Sequence, residues 1–235
     1  IYFLYFISIV KSIFRFRFKG RLVSEQLLFL GVNSIPIVII TSVFVGMAFT
    51  VQIVREFLRF GAGEMVGGIV GMAFWRELGP LMTGVVIAGR IGAAISAELG
   101  TMKVTEQVEA LEALSQDPIE YLVVPRCLAL VIIMPLLVGL ADILGFFAGF
   151  IVSMLSNINP SAYFHSAQTM LDVNDVVGGL IKAAFFGFSI GFISSYKGLT
   201  AESGARGVGK VTRRSVVHCL IAVLILNYFF SIILY

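Results

Sequence analysis

The sequence predicts an all-α membrane protein, and two observations lead to this fold class. The chain is 58% hydrophobic and only 13% charged over 235 residues, whereas an ordinary soluble domain has about 25% charged residues. It also contains several apolar stretches that approach or exceed the roughly 20 residues a helix needs to cross a bilayer. The net charge of +3 is small and gives no indication of nucleic-acid binding.

Five transmembrane helices are predicted, in a single domain that covers residues 1–235. Two stretches are ambiguous. Residues 65–75 are too short to cross alone, so they form a re-entrant piece or the first part of a long second helix broken near Gly79-Pro80. Residues 122–155 are long enough for one tilted helix or for a hairpin. With one crossing there, the spans cover about 34–54, 65–98, 118–155, 176–196 and 215–235.

The distribution of Lys and Arg favours the single crossing, because basic residues collect on the cytoplasmic side of a membrane protein. One basic cluster precedes the first span, a second lies between the last two spans, and the loop at 156–175 has no Lys or Arg. A single crossing by residues 122–155 places both clusters on one side, with the N-terminus cytoplasmic and the C-terminus outside. The clusters are Lys11, Arg15, Arg17, Lys19 and Arg21, and Lys197, Arg206, Lys210, Arg213 and Arg214.

The N-terminal region is expected to lie on the membrane rather than in it. In residues 11–32, "IFRFRFKG" interleaves Phe with basic residues, and apolar residues then recur at helical spacing. This pattern is typical of an interfacial helix, and a plain basic flank to the first span is the alternative. Residues 1–10 are too short to span and no small-residue cleavage site follows, so no signal peptide is expected.

A polar stretch at residues 100–122 interrupts the apolar sequence. Val104, Val108 and Leu111 recur on one helical face, while glutamates occupy the other side. The stretch predicts a separate short helix over 101–115, after which Asp117 caps the next helix with Pro118 at its first position. A simple connection would need about 2–8 residues. The acidic helix therefore indicates docking to a soluble partner, and a helix lying in the interface without a partner is the alternative.

Two ionisable residues fall within the second span. Arg90 and Glu98 are eight residues apart, near one helical face. Charged groups in a span are unfavourable unless they meet a cavity or a partner. They are expected to line a path for a polar lipid headgroup, to form a structural ion pair, or to extend toward the membrane edge. Glu77, Asp142 and Lys182 are weaker candidates of the same kind.

Signals for catalysis, metal binding or nucleotide binding are weak. The segment "GARGVGKVT" at 204–212 nearly matches a phosphate-binding loop, but Val211 replaces the Ser or Thr that would hold magnesium. His165 and His218 have no metal-ligand spacing. Cys127 and Cys219 lie in apolar stretches and are expected to be buried as small hydrophobic residues. We therefore expect no enzyme activity and no cofactor bound by this chain.

Two segments resemble a known family. "FWRELGPLMTGVVIAGRIGAAISAELGTMKVTEQVEALEALSQDPIEYLVVPR", residues 74–126, resembles the signature region of the MlaE/YrbE permeases, and "AELGTMKVTEQVEAL" is its most specific part. "TAESGARGVGKVTRRSVV", residues 200–217, is similar to the family's second cytoplasmic motif. These permeases are the membrane subunits of lipid-transporting ABC systems, including that of the chloroplast trigalactosyldiacylglycerol system.

The resemblance implies an architecture and partners. It implies a homodimer of five-span subunits, a separate cytoplasmic ABC ATPase that binds ATP and Mg, and an MCE-domain protein on the other face. It identifies the helix at 101–115 as a cytoplasmic coupling helix, with Lys103, Glu106, Glu109 and Glu112 as its contacts with the ATPase.

The predicted function is transport of phospholipids or related glycerolipids between membranes. The predicted location is a bacterial inner membrane or a plastid inner envelope. The alternative is a secondary transporter of an amphiphilic substrate without an ATPase, which would usually show an inverted repeat. No repeat is evident in this sequence.

Overall fold

The computed structural model describes Tyr5, residues 20–202 and residues 204–235, and these residues contain helices and no strand. A short helix, α1 (Gly20–Leu27), continues as a π-helical turn at Leu28–Val32. The helices after it are α2 (Ile35–Arg59), α3 (Gly63–Val104), α4 (Gln107–Ala113), α5 (Ile119–Leu155), α6 (Pro160–Met170), α7 (Val173–Leu199) and α8 (Ala205–Leu234).

Five of these helices, α2, α3, α5, α7 and α8, are long and apolar enough to cross a membrane. The predicted all-α membrane fold is thereby confirmed. Several helices are longer than the apolar stretches from which the spans were predicted. The last helix begins at Ala205 instead of near residue 215, because the basic residues that open it form helix readily although they are not apolar.

Neither ambiguous stretch contains a break. Helix α3 runs without interruption through Gly79 and Pro80, so the predicted break is absent. Proline has no N–H for the carbonyl four residues earlier, which belongs to Arg76. A π-helical turn at Phe74–Leu78 precedes the proline, and Lys182 Nζ donates a hydrogen bond of 2.9 Å to that carbonyl. Helix α5 likewise continues through Pro135.

The interfacial helix predicted over residues 11–32 is described only from Gly20 onward, because residues 11–19 lie outside the described residues. From Gly20 to Val32 the backbone is helical. Arg21 Nε lies 3.0 Å from Glu25 Oε1, one turn further along the same helix.

The chain divides into two packing units. The first unit comprises Ile1–Ser34, Gly84–Ile133 and Ala184–Leu226. Val123 and Cys127 are fully buried in it, among Ile119, Phe188 and Phe192. Cys219 is also buried in this unit, and both cysteines are free thiols. Their interior positions confirm the expectation that they act as small hydrophobic residues.

The second unit comprises Ile35–Thr83, Met134–Ala183 and Asn227–Tyr235. Its core includes Val66, Val70 and Tyr163. The start of α3 packs closely on α6, and the Gly68 N–H donates a 3.0 Å hydrogen bond to Ser166 Oγ. A side chain at Gly67 would collide with the Tyr163 carbonyl oxygen, so glycine allows this close approach.

Candidate functional site

The polar stretch between α3 and α5 forms a shorter helix than the sequence predicts. Its first residues, 101–104, are the end of α3. Glu106 then adopts a left-handed backbone conformation with φ of 61°, and α4 covers only Gln107–Ala113. Ser115 is also left-handed, with φ of 58°. Because left-handed residues do not continue an α-helix, these two positions separate α4 from its neighbours.

The cap predicted for the next helix is present in the structure. Asp117 Oδ1 accepts a 2.8 Å hydrogen bond from the Ile119 N–H. Pro118 follows Asp117 directly, where a missing N–H leaves no unsatisfied donor. The chain therefore leaves α4 and enters α5 through a fixed turn.

Helix α4 has one attached face and one exposed acidic face. Val108 is buried, with 4% of its surface exposed, while Glu106, Glu109 and Glu112 are exposed. Lys103, at the end of α3, forms an ion pair with Glu109. The hydrogen bonds from Lys103 and from its own N–H lower the pKa of the Glu109 carboxyl. Helix α4 is thus connected to the end of α3 by an ion pair, and it buries Val108.

A shallow, mostly apolar groove of about 250 Å³ adjoins α4. Met102, Ala110, Leu111 and Leu114 form most of its wall. Leu114 is 72% exposed. The surface of α4 therefore combines carboxylates with apolar side chains, as partner-binding surfaces commonly do.

The two charged residues singled out in the second span do not form an ion pair with each other. The guanidinium of Arg90 donates a hydrogen bond to the Ser34 hydroxyl and lines a cavity of about 130 Å³. Glu98 Oε1 instead accepts a 2.7 Å bond from Arg126 Nη2. The side chain of Arg126 is 5% exposed and that of Glu98 is 47% exposed.

A network of charged groups lies in the second unit. Glu77 Oε1 accepts a 2.8 Å bond from Lys182 Nζ, and Glu77 Oε2 accepts a 2.8 Å bond from Asn227 Nδ2. The Lys182 side chain is completely buried. Arg76 binds Asp175 through two parallel bonds of 2.8 and 3.1 Å. The buried charges in this charged network are therefore paired, as a low-dielectric interior requires.

The aromatic ring of Tyr235 completes the charged network. Arg76 and Lys182 lie over this ring, at 5.2 and 5.0 Å from its centroid. The Tyr235 hydroxyl donates a 3.1 Å hydrogen bond to the Asp175 carbonyl oxygen. Sequence analysis noted Glu77 and Lys182 only as weak candidates, and it missed Arg76 and Asp175. The signal that was available is "WRELGP", which places two opposite charges inside an apolar stretch.

Asp142, the remaining weak candidate, is in a different environment. It is fully buried in the second unit, and neither of its carboxylate oxygens has a hydrogen-bond partner among the residues that the structure describes. A side chain at Gly79 would collide with this carboxyl group. The absence of a side chain there lets Asp142 approach the backbone of α3.

The segment that resembles a phosphate-binding loop is helical. Gly204 has φ of 84°, and α8 begins at the next residue. Lys210 Nζ contacts both carboxylate oxygens of Glu202, at 2.8 and 3.0 Å. This contact lowers the pKa of the Glu202 carboxyl. Lys210 lies in α8 and is paired with Glu202, which precedes the helix. The backbone from Ala205 onward is helical and does not form an anion-binding loop.

These features define a class of protein: a polytopic α-helical membrane protein with paired charges inside its spans and an acidic helix between two of them. Comparison with known sequences specifies the family. The family model for Permease MlaE matches residues 23–233. The chain belongs to the MlaE permease family, and it is the permease subunit of an ABC transporter. The family resemblance noted in the sequence is thereby confirmed.

The relatives come from bacteria and from plastids. A probable ABC transporter permease protein of Rickettsia typhi is 45% identical over 91% of this chain and 83% of its own length. One from Synechocystis is 44% identical over 92% of this chain and 82% of its own length. The chloroplastic protein TRIGALACTOSYLDIACYLGLYCEROL 1 of Arabidopsis thaliana is 39% identical over 95% of this chain and 64% of its own length.

Proposed function

We propose that this permease moves phospholipids or related glycerolipids between membranes, driven by a separate cytoplasmic ABC ATPase that docks on α4. The observation that carries the proposal is the geometry of α4. An exposed acidic helix joins two spans, packs on the end of α3 and is connected to it by the Lys103–Glu109 ion pair. The ABC transporter permeases among the relatives support the same assignment.

The contacts of α4 supply a mechanism for coupling. Glu106, Glu109 and Glu112, together with Lys103, are the proposed contacts with the ATPase. A force on α4 would reach α3 through their packing and the Lys103–Glu109 ion pair, and it would reach α5 through the short connection capped by Asp117. ATP and Mg would be bound by the partner, so the permease would need no cofactor of its own and would catalyse no reaction.

Arg90 and Glu98 are the proposed contacts with the lipid headgroup. Arg90 has one hydrogen-bond partner among the described residues, the neutral Ser34 hydroxyl. Its remaining N–H donors suit a phosphate oxygen, and a cavity adjoins it. Glu98 neutralises Arg126, and about half of its side chain, 47%, stays exposed to a polar headgroup.

The proposal includes an assembly and a location. The permease would act as a homodimer with an MCE-domain protein as the lipid-binding partner. The basic clusters favour a cytoplasmic or stromal N-terminus. The bacterial relatives and the chloroplastic relative support a bacterial inner membrane or a plastid inner envelope.

The decisive experiment changes the charge of α4. Glu106, Glu109 and Glu112 are replaced together by lysine, and the permease is purified from its own membranes in mild detergent. We expect the copurifying ATPase to be lost and ATP-driven lipid transfer between vesicles to fall at least about tenfold, because like charges across a docking surface oppose association.

Two exposed acidic residues elsewhere provide the matched control. Glu56 and Glu64 lie at the end of α2 and the start of α3, on the face away from the proposed ATPase, and their replacement by lysine should leave ATPase copurification at the wild-type level. Unchanged ATPase copurification and lipid transfer in the α4 variant would disprove the docking assignment. Lipid movement without any ATPase would favour the secondary transporter.

A further inference from the structure

A cleft in the first unit brings Glu98 together with two polar side chains to which the proposed function gives no contact with the lipid, Gln26 and Arg126. Its volume is about 180 Å³, and α1, α3 and α5 form its walls. The polar side chains that matter are Gln26, Glu98 and Arg126. Leu22, Leu122 and Pro125 supply apolar surface beside them.

Two residues that line the cleft, Gln26 and Arg126, each have a buried polar atom without a hydrogen-bond partner among the described residues. Arg126 has five N–H donors. It uses one for the Leu122 carbonyl oxygen at 2.6 Å and one for Glu98 at 2.7 Å. Its Nε has no partner in the described part of the chain, and neither has Gln26 Oε1. Buried polar groups are normally hydrogen-bonded, so each unpaired atom indicates a missing partner.

The side chains can turn toward a ligand without a change of fold. Gln26 lines the cleft, and because its terminal torsion is broad in energy, its amide can rotate to meet a ligand. Glu98 uses one carboxylate oxygen for Arg126. Its other oxygen can accept a hydrogen bond from a ligand, because the side chain is 47% exposed. Arg126, at 5% exposure, is held by two bonds and fixes the position of its remaining donors.

The chemistry of the missing partner follows from this combination. A ligand must accept a hydrogen bond from a guanidinium and donate hydrogen bonds to an amide oxygen and a carboxylate. An ammonium group can only donate, and an ionised phosphate can only accept. A hydroxyl group does both at one atom, so a headgroup with several hydroxyl groups matches the cleft, whereas a zwitterionic headgroup would have to place its phosphate and its ammonium there at the same time.

The size and lining of the cleft favour a lipid over water. One water occupies about 30 Å³ of liquid, so a cleft of about 180 Å³ would hold about six. Six waters would leave the apolar wall formed by Leu22, Leu122 and Pro125 in contact with water. A hydroxylated headgroup satisfies the polar groups, and its glycerol backbone covers the apolar wall.

We propose that this cleft binds the hydroxylated headgroup of a membrane lipid, such as a glycerol or sugar headgroup, through Gln26, Glu98 and Arg126. The inference rests on the proposed contact between this permease and membrane lipid, and it requires neither the ATPase nor transport. The inference specifies which lipids would bind near Glu98: those whose headgroups carry several hydroxyl groups.

The test measures which lipids the permease retains. The full chain is reconstituted in vesicles with equal amounts of phosphatidylcholine, phosphatidylglycerol and a monohexosyl diacylglycerol, all with the same acyl chains. After extraction in mild detergent, native mass spectrometry counts retained lipids by class. Phosphatidylcholine has no headgroup hydroxyl. The other two lipids distinguish a glycerol headgroup from a sugar headgroup.

We expect the wild-type chain to retain at least one hydroxylated class about fivefold more than phosphatidylcholine. Gln26→Met, which removes the amide at nearly constant length, should bring this ratio close to one. Arg126→Lys keeps the charge opposite Glu98 but offers fewer donors, and it should give an intermediate ratio. Gln168→Met makes the same chemical change at an exposed position of α6 and should match the wild type.

Two results would overturn the site. The first is a wild-type chain with no preference between classes, which would mean that water fills the cleft. The second is an unchanged preference in both Gln26→Met and Arg126→Lys, which would place the hydroxyl recognition elsewhere. Neither result affects ATPase copurification, so a failure of this site is distinguishable from a failure of the proposed transport function.

Discussion

Two sets of ion pairs in this molecule differ in a way that separates structural charges from accessible ones. In the charged network, each ion pair has one buried member, Lys182 at 0% or Asp175 at 4% exposure, while Glu77 and Arg76 are 39% and 37% exposed. The pairs Lys103–Glu109 and Lys210–Glu202 join near neighbours in sequence, and their side chains are at least 35% exposed. Burial, rather than the number of ion pairs, should decide how much each contributes to stability.

The largest expected effect comes from leaving the buried ammonium without its carboxylate. Glu77→Leu should lower the free energy of unfolding by about 3–5 kcal/mol, because Lys182 then stays buried without a counter-charge. The unfolding midpoint in detergent, followed by the fluorescence of the single tryptophan, Trp75, measures the change.

The double variant Glu77→Leu with Lys182→Met is the control for this prediction. Removal of both charges should recover most of the loss, since an apolar pair of similar volume replaces the ion pair without a buried charge. If Glu77→Leu unfolded at the wild-type midpoint, the charged network would not be a structural element and the comparison would fail.

A smaller effect is expected from a change that keeps the charge but alters its geometry. Arg76→Lys cannot form the two parallel bonds to Asp175, so one charged hydrogen bond is lost, at a cost of about 1.5–3 kcal/mol. The same unfolding experiment measures it. Arg59→Lys is the matched control, because the Arg59–Glu56 pair is exposed, and it should leave the midpoint unchanged.

Sequence reasoning identified the spans but not the partners of the charges within them. Apolar stretches of sufficient length are a local property, and the five spans follow from them. The pairing of Arg76 with Asp175 joins residues 99 apart, and that of Glu77 with Lys182 joins residues 105 apart. Only tertiary packing brings such residues together, so spacing along the helix suggested an Arg90–Glu98 pair that the structure does not contain.

Predictions about single residues failed where distant contacts or rare backbone conformations decide the structure, as two examples show. Proline predicted a break at Pro80, but a lysine more than 100 residues away satisfies the Arg76 carbonyl oxygen, and α3 continues. The bounds of α4 depend on left-handed Glu106 and Ser115, residue types that rarely adopt this conformation. By contrast, Asp117 was identified correctly as a cap because its bond to the Ile119 N–H is local.

Acid should weaken the connection between α4 and the end of α3. The pKa of the Glu109 carboxyl is lowered from its ordinary value of 4.5, chiefly by the hydrogen bond from Lys103. The contribution of this ion pair is therefore complete above pH 4.5 and is lost as the pH falls through the lowered pKa. Hydrogen exchange of the α4 amides, corrected for intrinsic rates, should increase between pH 6 and pH 3.

The variant Lys103→Met tests whether the ion pair is the cause of this pH dependence. Without the lysine, the α4 amides should exchange faster already at pH 6, and the further increase at pH 3 should be smaller than in the wild type. An equal increase in both proteins would assign the pH dependence to groups other than Glu109.

The smallest effect is expected at Lys210, and it tests the other side of the comparison. Lys210→Met removes the ion pair with Glu202. The Lys210 side chain is 41% exposed and the Glu202 side chain is 67% exposed. Solvent and salt screen such a pair, so the unfolding midpoint should match that of the wild type at both low and high NaCl concentration. The pKa of Glu202 should return toward its ordinary value, because Lys210 is the main cause of its lowering. A loss of stability as large as that of Arg76→Lys would mean that exposure does not decide the contribution of these ion pairs, and the distinction between structural and accessible charges would no longer hold.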